Sequence, residues 1–275
     1  TEKLGETAAS QEGVIDFSAI KDNEDLEVAD YLPSDINDME KICTEDYSVN
    51  LVDMADNTED NKTVNDNPND AKAISLGTQV YDTVATELEQ RWYAFSVAKA
   101  TKFTAAMVMD DTADFDLYVY KLNETDGTLE LVGGSAIVGA GTQELSMLKL
   151  DEGIYFIGIE AATGNGSFLM YTYAGVNDGK EINDTTDLAS SYVRNSRMTA
   201  TIDSPFDYDY YKVVISKNDI LEYTFDQPTG CDYKVLVYDG KNYYTINNGT
   251  YRLNTGTYYF IVMASSMNYS DDKYY

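Results

Sequence analysis

Asp114-Phe115-Asp116-Leu117-Tyr118-Val119-Tyr120 and Asp232-Tyr233-Lys234-Val235-Leu236-Val237-Tyr238 align without a gap, 118 residues apart. Both are strand-length runs of aromatic and β-branched residues led by an aspartate, the composition of a packed β-strand. Trp92-Tyr93 aligns on Tyr210-Tyr211 at the same offset. Leu150-Asp151-Glu152-Gly153-Ile154-Tyr155 matches Leu253-Asn254-Thr255-Gly256-Thr257-Tyr258 at an offset of 103. Self-similarity of this kind marks a duplicated module. The offset changes by 15 residues after the aspartate-led strand, where the first copy carries Asn123-Glu124-Thr125-Asp126-Gly127 and a glycine-rich stretch from Gly133 to Gly141. A longer loop is expected there.

Outward from these anchors, Trp92–Val97, Phe103–Met109, Ile154–Ile159 and Phe168–Tyr173 are further short runs rich in aromatic and β-branched residues, with Gly, Asn and Asp between them. Strand-length segments separated by turn chemistry predict an all-β chain, two tandem jelly-roll-like β-sandwiches over 65–176 and 177–275. In the first copy Gly166–Tyr173 follows the last hairpin as a final strand, whereas the second copy reaches Tyr275 where its equivalent should begin. That strand is expected to be stunted or, the preferred reading, to belong to a longer protein.

Residues 1–64 read differently. Residues 1–70 hold twenty Asp or Glu against four Lys, more than half of the chain's formal charge of −29, with no sustained period of 2 or 3.6. Such a stretch buries too little apolar surface to offset its ordering entropy. It is expected to be an acidic, largely irregular tail, with clusters such as Val14–Phe17 able to dock on a neighbouring domain.

The 48 acidic and 19 basic residues create a field that repels phosphate backbones and anionic bilayers, so nucleic acid is not an expected partner. No apolar run approaches the roughly 20 residues that span a bilayer, and no membrane insertion is expected. The chain has no histidine, which removes the usual general base, the common partner of a serine or cysteine nucleophile and the commonest zinc ligand. Cys43 and Cys231 match no metal-site spacing; they form either one disulfide or two unrelated thiols. The first residue is Thr1, as expected of a mature exported segment or a trimmed chain.

Four features recur in order in each copy. An Asn-Asp pair is followed five residues later by Ala (Asn65-Asp66 to Ala71, Asn183-Asp184 to Ala189). A strand of the type Asp209-Tyr210-Tyr211-Lys212-Val213 follows, degraded in the first copy to Gln90-Arg91-Trp92-Tyr93. Then come the aspartate-led strand and a Leu-x-x-Gly-x-Tyr hairpin. This order resembles the bacterial pre-peptidase C-terminal domain, a jelly-roll-like sandwich found beside secreted peptidases and in the collagen-binding modules of clostridial collagenases. The resemblance spans about residues 65–275 and implies two tandem copies, a secreted or cell-surface bacterial protein, and calcium held between the opening segment and an early strand. Carried over residue by residue, that pattern falls on Glu181, Asn183, Asp184 and Asp209, with Asp207 beside them. The first copy keeps Asn65 and Asp66 but has Thr63 and Gln90 at the other positions, so no equivalent site is expected there.

Two other groups stand out. Asp110, Asp111, Asp114 and Asp116 precede or begin a strand; alternation puts Asp114 and Asp116 on one face, and a solvated loop rim is the expected role. Tyrosine numbers 24 and concentrates in the second copy. An aromatic ring with a polar tip suits sugar rings or a peptide lying across a sheet, and Tyr243, Tyr244 and Tyr259 are the expected ligand-binding face, with one tyrosine of each adjacent pair facing outward.

The function these features imply is non-catalytic. The chain is expected to be a monomeric extracellular accessory module that binds extracellular polymer, protein or glycan, or positions a neighbouring catalytic domain, with calcium as its one expected cofactor. A stalk without a ligand is the alternative. A glycoside hydrolase built on two carboxylates ranks below both and would need such a pair to converge in a cleft.

Overall fold

A computed structural model describes residues 47–49, 64–176 and 179–275, and two short strands before them, β1 (Ala9–Ser10) and β2 (Val14–Asp16). Most of the acidic segment, Cys43 and Thr63 included, lies outside the described residues. The chain divides into two compact units, a first module of Pro33–Asn177 and a second of Asp178–Tyr275 with Thr1–Leu32. Apart from one turn of 3-10 helix at Pro68–Asp70, every described regular element is a strand. Among the described residues no helix is long and apolar enough to cross a membrane.

In the first module the strands are β3 (Lys72–Ala73), β4 (Gln79–Val84), β5 (Gln90–Val97), β6 (Thr101–Met109), β7 (Asp114–Leu122), β8 (Leu129–Ser135), β9 (Glu144–Leu150), β10 (Gly153–Thr163) and β11 (Gly166–Val176). They form a five-stranded sheet, β3-β5-β10-β7-β8, and a four-stranded sheet, β4-β11-β6-β9. Alternation sends one set of side chains from each into a shared core: Phe95 of the first sheet stacks on Phe103 of the second at 5.0 Å, and Phe168 meets Phe115 edge-on at 6.0 Å. The opposite face of the five-stranded sheet carries Trp92, Tyr118, Tyr120 and Phe156, against which Tyr47 and Val49 pack. The Tyr47 ring stands edge-on to Trp92 at 4.8 Å, and backbone hydrogen bonds from Val49 to Gly127 and from Leu129 to Tyr47 fix that segment beside the β7–β8 turn.

The second module contains β12 (Ser190–Ser191), β13 (Tyr208–Ile215), β14 (Asp219–Tyr223), β15 (Tyr233–Tyr238), β16 (Tyr243–Ile246), β17 (Gly249–Leu253) and β18 (Gly256–Ala264). Its five-stranded sheet is β12-β13-β18-β15-β16. The registers reproduce both sequence offsets: Trp92 opposes Gly158 as Tyr210 opposes Ile261, and Leu117 opposes Ile159 as Val235 opposes Val262. Thr101 opposes Leu150 as Asp219 opposes Leu253, so β14 and β17 are the counterparts of β6 and β9. Six of the 15 residues fall between β8 and β9, where residues 136–143 replace the two-residue link of Asn247 and Asn248, and the rest lengthen the strands of the first module and its β7–β8 turn.

The second sheets differ. β6 is flanked by β9 and β11, whereas among the described residues β14 pairs with β17 alone, and the row continues on the far side of β17 through β2 and β1 to give β1-β2-β17-β14. Val14–Asp16, drawn from the acidic segment, pairs in parallel with Thr250–Arg252.

Candidate cation site in the second module

The segment that opens the second module runs past the head of β13, and the backbone fixes that approach: Tyr210 donates its N–H to the Asn183 carbonyl at 3.0 Å, as Trp92 does to Asn65 at 2.7 Å in the first module. The approach brings Glu181, Asn183, Asp184, Asp207 and Asp209 into the interior, all buried. Carboxylate oxygens of Glu181, Asp207 and Asp209 lie within 4.8 Å of one another. Oxygens that share one calcium ion at roughly 2.3–2.6 Å each can be no more than about 5 Å apart, so the three satisfy the spacing.

Local hydrogen bonds hold the carboxylates in place. Asp184 Oδ1 accepts from the Tyr208 N–H at 3.1 Å, Asp207 Oδ2 from the Asp203 N–H at 2.7 Å, and Asp209 Oδ2 from the Tyr275 hydroxyl at 2.6 Å. Tyr275 also shares a 2.5 Å hydrogen bond with the Tyr211 hydroxyl. Burial, with the Asp209 charge beside it, raises the Tyr275 phenol well above its ordinary value, so it remains a donor to the carboxylate. Buried Asp203 supports the cluster through its backbone N–H, which holds Asp207. Neither Asp203 nor Tyr275 was expected from the sequence, since one belongs to a loop and the other lies 66 residues from Asp209.

Asn183 separates this arrangement from an ordinary capped turn. Its side chain is wholly buried, yet neither Oδ1 nor Nδ2 makes a hydrogen bond among the described residues. A buried amide without partners costs about 1–3 kcal/mol. In the first module the equivalent amide is used up, because Asn65 Nδ2 donates to the Trp92 carbonyl at 2.9 Å.

The register also corrects one assignment. The first-module counterpart of Asp209 is Arg91, not Gln90, since Arg91 stands opposite Ile159 of β10 as Asp209 stands opposite Val262 of β18. Arg91 is buried and its guanidinium lies 2.7 Å from Glu89, which occupies the place of Asp207, and 3.7 Å from Asp82. Asp66, the counterpart of Asp184, faces solvent. A covalently attached cation therefore occupies the first module where the second gathers carboxylates. The donor set of the second module, carboxylates and an amide with no nitrogen or sulfur ligand, fits a hard cation of calcium type.

The other expectations divide. Tyr243 and Tyr259 lie on the face of the five-stranded sheet turned away from the core, where Tyr238 stacks on Tyr243 at 4.5 Å and lies 6.2 Å from Tyr259. Tyr244 does not share that face: it is buried in the core and donates its hydroxyl to Asp239. Asp114 and Asp116 are not a solvated rim. Both are buried beneath the 136–143 loop, whose Gly139 N–H binds Asp114, and Glu144 of β9 is buried with them and accepts from Ile137 N–H. Only Asp110 and Asp111 remain at the surface. Cys231 is a buried free thiol.

No family model and no curated protein matches the chain. Among solved structures it is similar to the pre-peptidase C-terminal domain of the collagenase from Bacillus anthracis, at 16% identity over 37% of this chain and 93% of that one, with a TM-score of 0.32. It is similar to a protein from Sulfurospirillum deleyianum at 10% identity, over 34% of this chain and 96% of that one, TM-score 0.25. It is also similar to the human CUB1-EGF-CUB2 region of MASP-1/3 at 9% identity, over 70% of this chain and 96% of that one, TM-score 0.22.

Proposed function

We propose that this chain is a non-catalytic binding or accessory unit of a secreted or cell-surface bacterial protein, made of two tandem pre-peptidase-type sandwiches, the second organised by calcium. The observation that carries the calcium reading is the buried cluster of Glu181, Asp207 and Asp209 oxygens within 4.8 Å of one another, in a module whose opening segment also buries the Asn183 amide without a hydrogen bond among the described residues. Glu181, Asn183, Asp184, Asp207 and Asp209 are the residues that would hold the ion. Its charge would offset the repulsion among buried carboxylates and couple the 181–184 segment to the head of β13. The first module reaches the same end with Arg91 and needs no ion.

The binding role rests on the outward tyrosines. Tyr238 stacks on Tyr243 and lies tilted to Tyr259, and these half-buried rings form an aromatic strip on the outer sheet face, suited to extended polymer, protein or glycan. A neighbouring catalytic domain of the same polypeptide is the other partner this face would serve.

The test uses the whole chain and its single tryptophan, Trp92, which lies in the first module. A ligand that binds only the folded state raises apparent stability. Millimolar calcium is expected to raise the calorimetric transition of the second module by several degrees over chelator, roughly the effect of 2–3 kcal/mol. The transition followed by Trp92 fluorescence stays in place. Asp207→Asn should remove the calcium shift; absence of any shift in the unsubstituted chain would refute the reading.

A further inference from the structure

The loop that lengthens the first module between β8 and β9 comes with acidic groups that the second module lacks. Asp116 opposes Glu160 of β10, where the second module has Lys234 opposite Met263. Glu144 opposes Met107 at the start of β9, and the 103-residue offset puts Asn247 in its place. Asp232, the counterpart of Asp114, is exposed. The 136–143 loop therefore closes over carboxyls that have no buried equivalent beneath the two-residue link.

Asp114, Asp116 and Glu144 are buried, and Glu160 is half-buried beside Asp116. Among the described residues no Lys or Arg pairs with any of the four. Their neighbours are negative or neutral. Asp114 and Glu160 act on Asp116, Asp116 and Asp114 act on Glu144, Ser135 of β8 stands beside Glu144, and the Tyr118 hydroxyl donates to Asp116 at 2.9 Å. Exposed Asp111 lies against the loop at Gly141. Asp114 Oδ1 is buried without a hydrogen bond among the described residues.

Few contacts hold the loop down. Gly139 donates its N–H to Asp114 at 3.1 Å, Ile137 donates to Glu144 at 3.1 Å, and Gly141 donates to the Ala113 carbonyl at 2.8 Å. Its larger apolar side chains contribute little burial, since Val138 is 86% and Ile137 39% exposed.

We propose that the 136–143 loop is a pH-operated cover on the first module, seated on Asp114, Asp116 and Glu144 in acid and opening to solvent more readily as pH rises through neutrality. Burial raises Asp116 to about 6 and Glu144 to about 7. Below these values both carboxyls are neutral and suit a dry site. Above them each must be hydrated or stay buried against like charge, and an unpaired buried charge is strongly disfavoured. The closed form thus has its full stability below the free carboxyl value near 4 and loses it as pH climbs through the raised values. A segment held by a few main-chain bonds opens before the packed sheets do, so the loop is the route by which water reaches the carboxylates.

Amide hydrogen exchange of the whole chain at pH 5 and pH 8, corrected for intrinsic rates, tests the cover. Protection of Ile137, Gly139 and Gly141 is expected to fall about tenfold or more between the two. At pH 8 these amides should exchange ahead of Phe156 and Ile157 of β10 and ignore low urea, as local opening requires. Asp116→Asn with Glu144→Gln keeps neutral, hydrogen-bonding side chains in both places and should leave the loop equally protected at both pH values. Equal protection in the unsubstituted chain would overturn the proposal. So would loop exchange that rises with urea in step with β10, since that is global unfolding, or a pH dependence that survives the double substitution. If the double variant does not fold, Glu144→Gln alone decides: a reduced pH dependence is expected, and an unchanged one overturns the proposal.

Discussion

Arg91 and Asp209 stand at one position of the repeated fold and carry opposite charge, one opposite Ile159 of β10 and the other opposite Val262 of β18. Around the first are Glu89 and Asp82; around the second are Glu181 and Asp207. The two modules therefore both place acidic groups near the heads of β5 and β13, and among the described residues the internal cation is the first module's Arg91.

The contrast predicts opposite responses to substitution. Arg91→Met should destabilise the first module by about 2 kcal/mol, between the values for exposed and fully buried ion pairs, because Glu89 and Asp82 keep some access to water. Urea unfolding followed by Trp92 fluorescence measures it. Asp209→Asn should stabilise the second module slightly in chelator, by relieving like-charge repulsion, and destabilise it in calcium. The same sign in both conditions would exclude a cation at that position.

A pH effect is expected in the first module. Burial, reinforced by the Asp114 and Glu160 charges and opposed by the Tyr118 hydroxyl, raises Asp116 to about 6. Burial, reinforced by Asp116 and Asp114 and opposed by hydrogen bonds from Ser135 and Ile137, raises Glu144 to about 7. A carboxyl group raised on folding contributes stability that is complete below its unfolded value near 4 and lost as pH climbs through its folded value. Asp82 and Glu89 are both lowered: burial opposes this but hydrogen bonds prevail, from Tyr93, Thr83 and Lys72 for Asp82 and from Arg91 for Glu89. Their stabilisation is lost only below about pH 4. The first module should therefore gain roughly 2–4 kcal/mol between pH 8 and pH 5. Asp116→Asn with Glu144→Gln should flatten that slope, as read by Trp92 fluorescence.

Packing on the outer face of β5 and β10 supplies the last prediction. Gly158 lies opposite Trp92, and a Cβ added there would come within 3.1 Å of the indole ring. In the second module the same pair is Tyr210 and Ile261, a smaller ring facing a larger aliphatic group. Gly158→Ala should cost about 1–3 kcal/mol by overpacking, and Gly158→Ala with Trp92→Tyr should recover part of it. Calorimetric unfolding of both variants provides the comparison.

Much of the fold is legible in residue order. The aspartate-led strands, the Leu-x-x-Gly-x-Tyr hairpins and the two offsets are local patterns, because strand periodicity and turn chemistry act over a few residues. Of the residues singled out through the family resemblance, the fold brings Glu181, Asp207 and Asp209 within 4.8 Å of one another. The 118-residue offset of Trp92-Tyr93 from Tyr210-Tyr211 already places Arg91 at Asp209; matching Gln90 to it, by the first residue of the degraded motif, slips the strand by one residue and exchanges its faces. The outward position of Tyr243 and the inward position of Tyr244 follow from alternation only once the core face is known.

The sequence by itself determined an acidic, histidine-free, all-β chain with a repeated module, since composition and local pattern need no long-range contact. Tertiary structure alone decided that Asp114, Asp116 and Glu144 are buried, because the loop covering them closes over a distance that composition does not encode. It also decided that Tyr275 reaches back to Asp209 and that Val14–Asp16 pairs with β17. Burial and pairing are properties of what the chain brings together across tens of residues, and they exist only once the two sheets have packed.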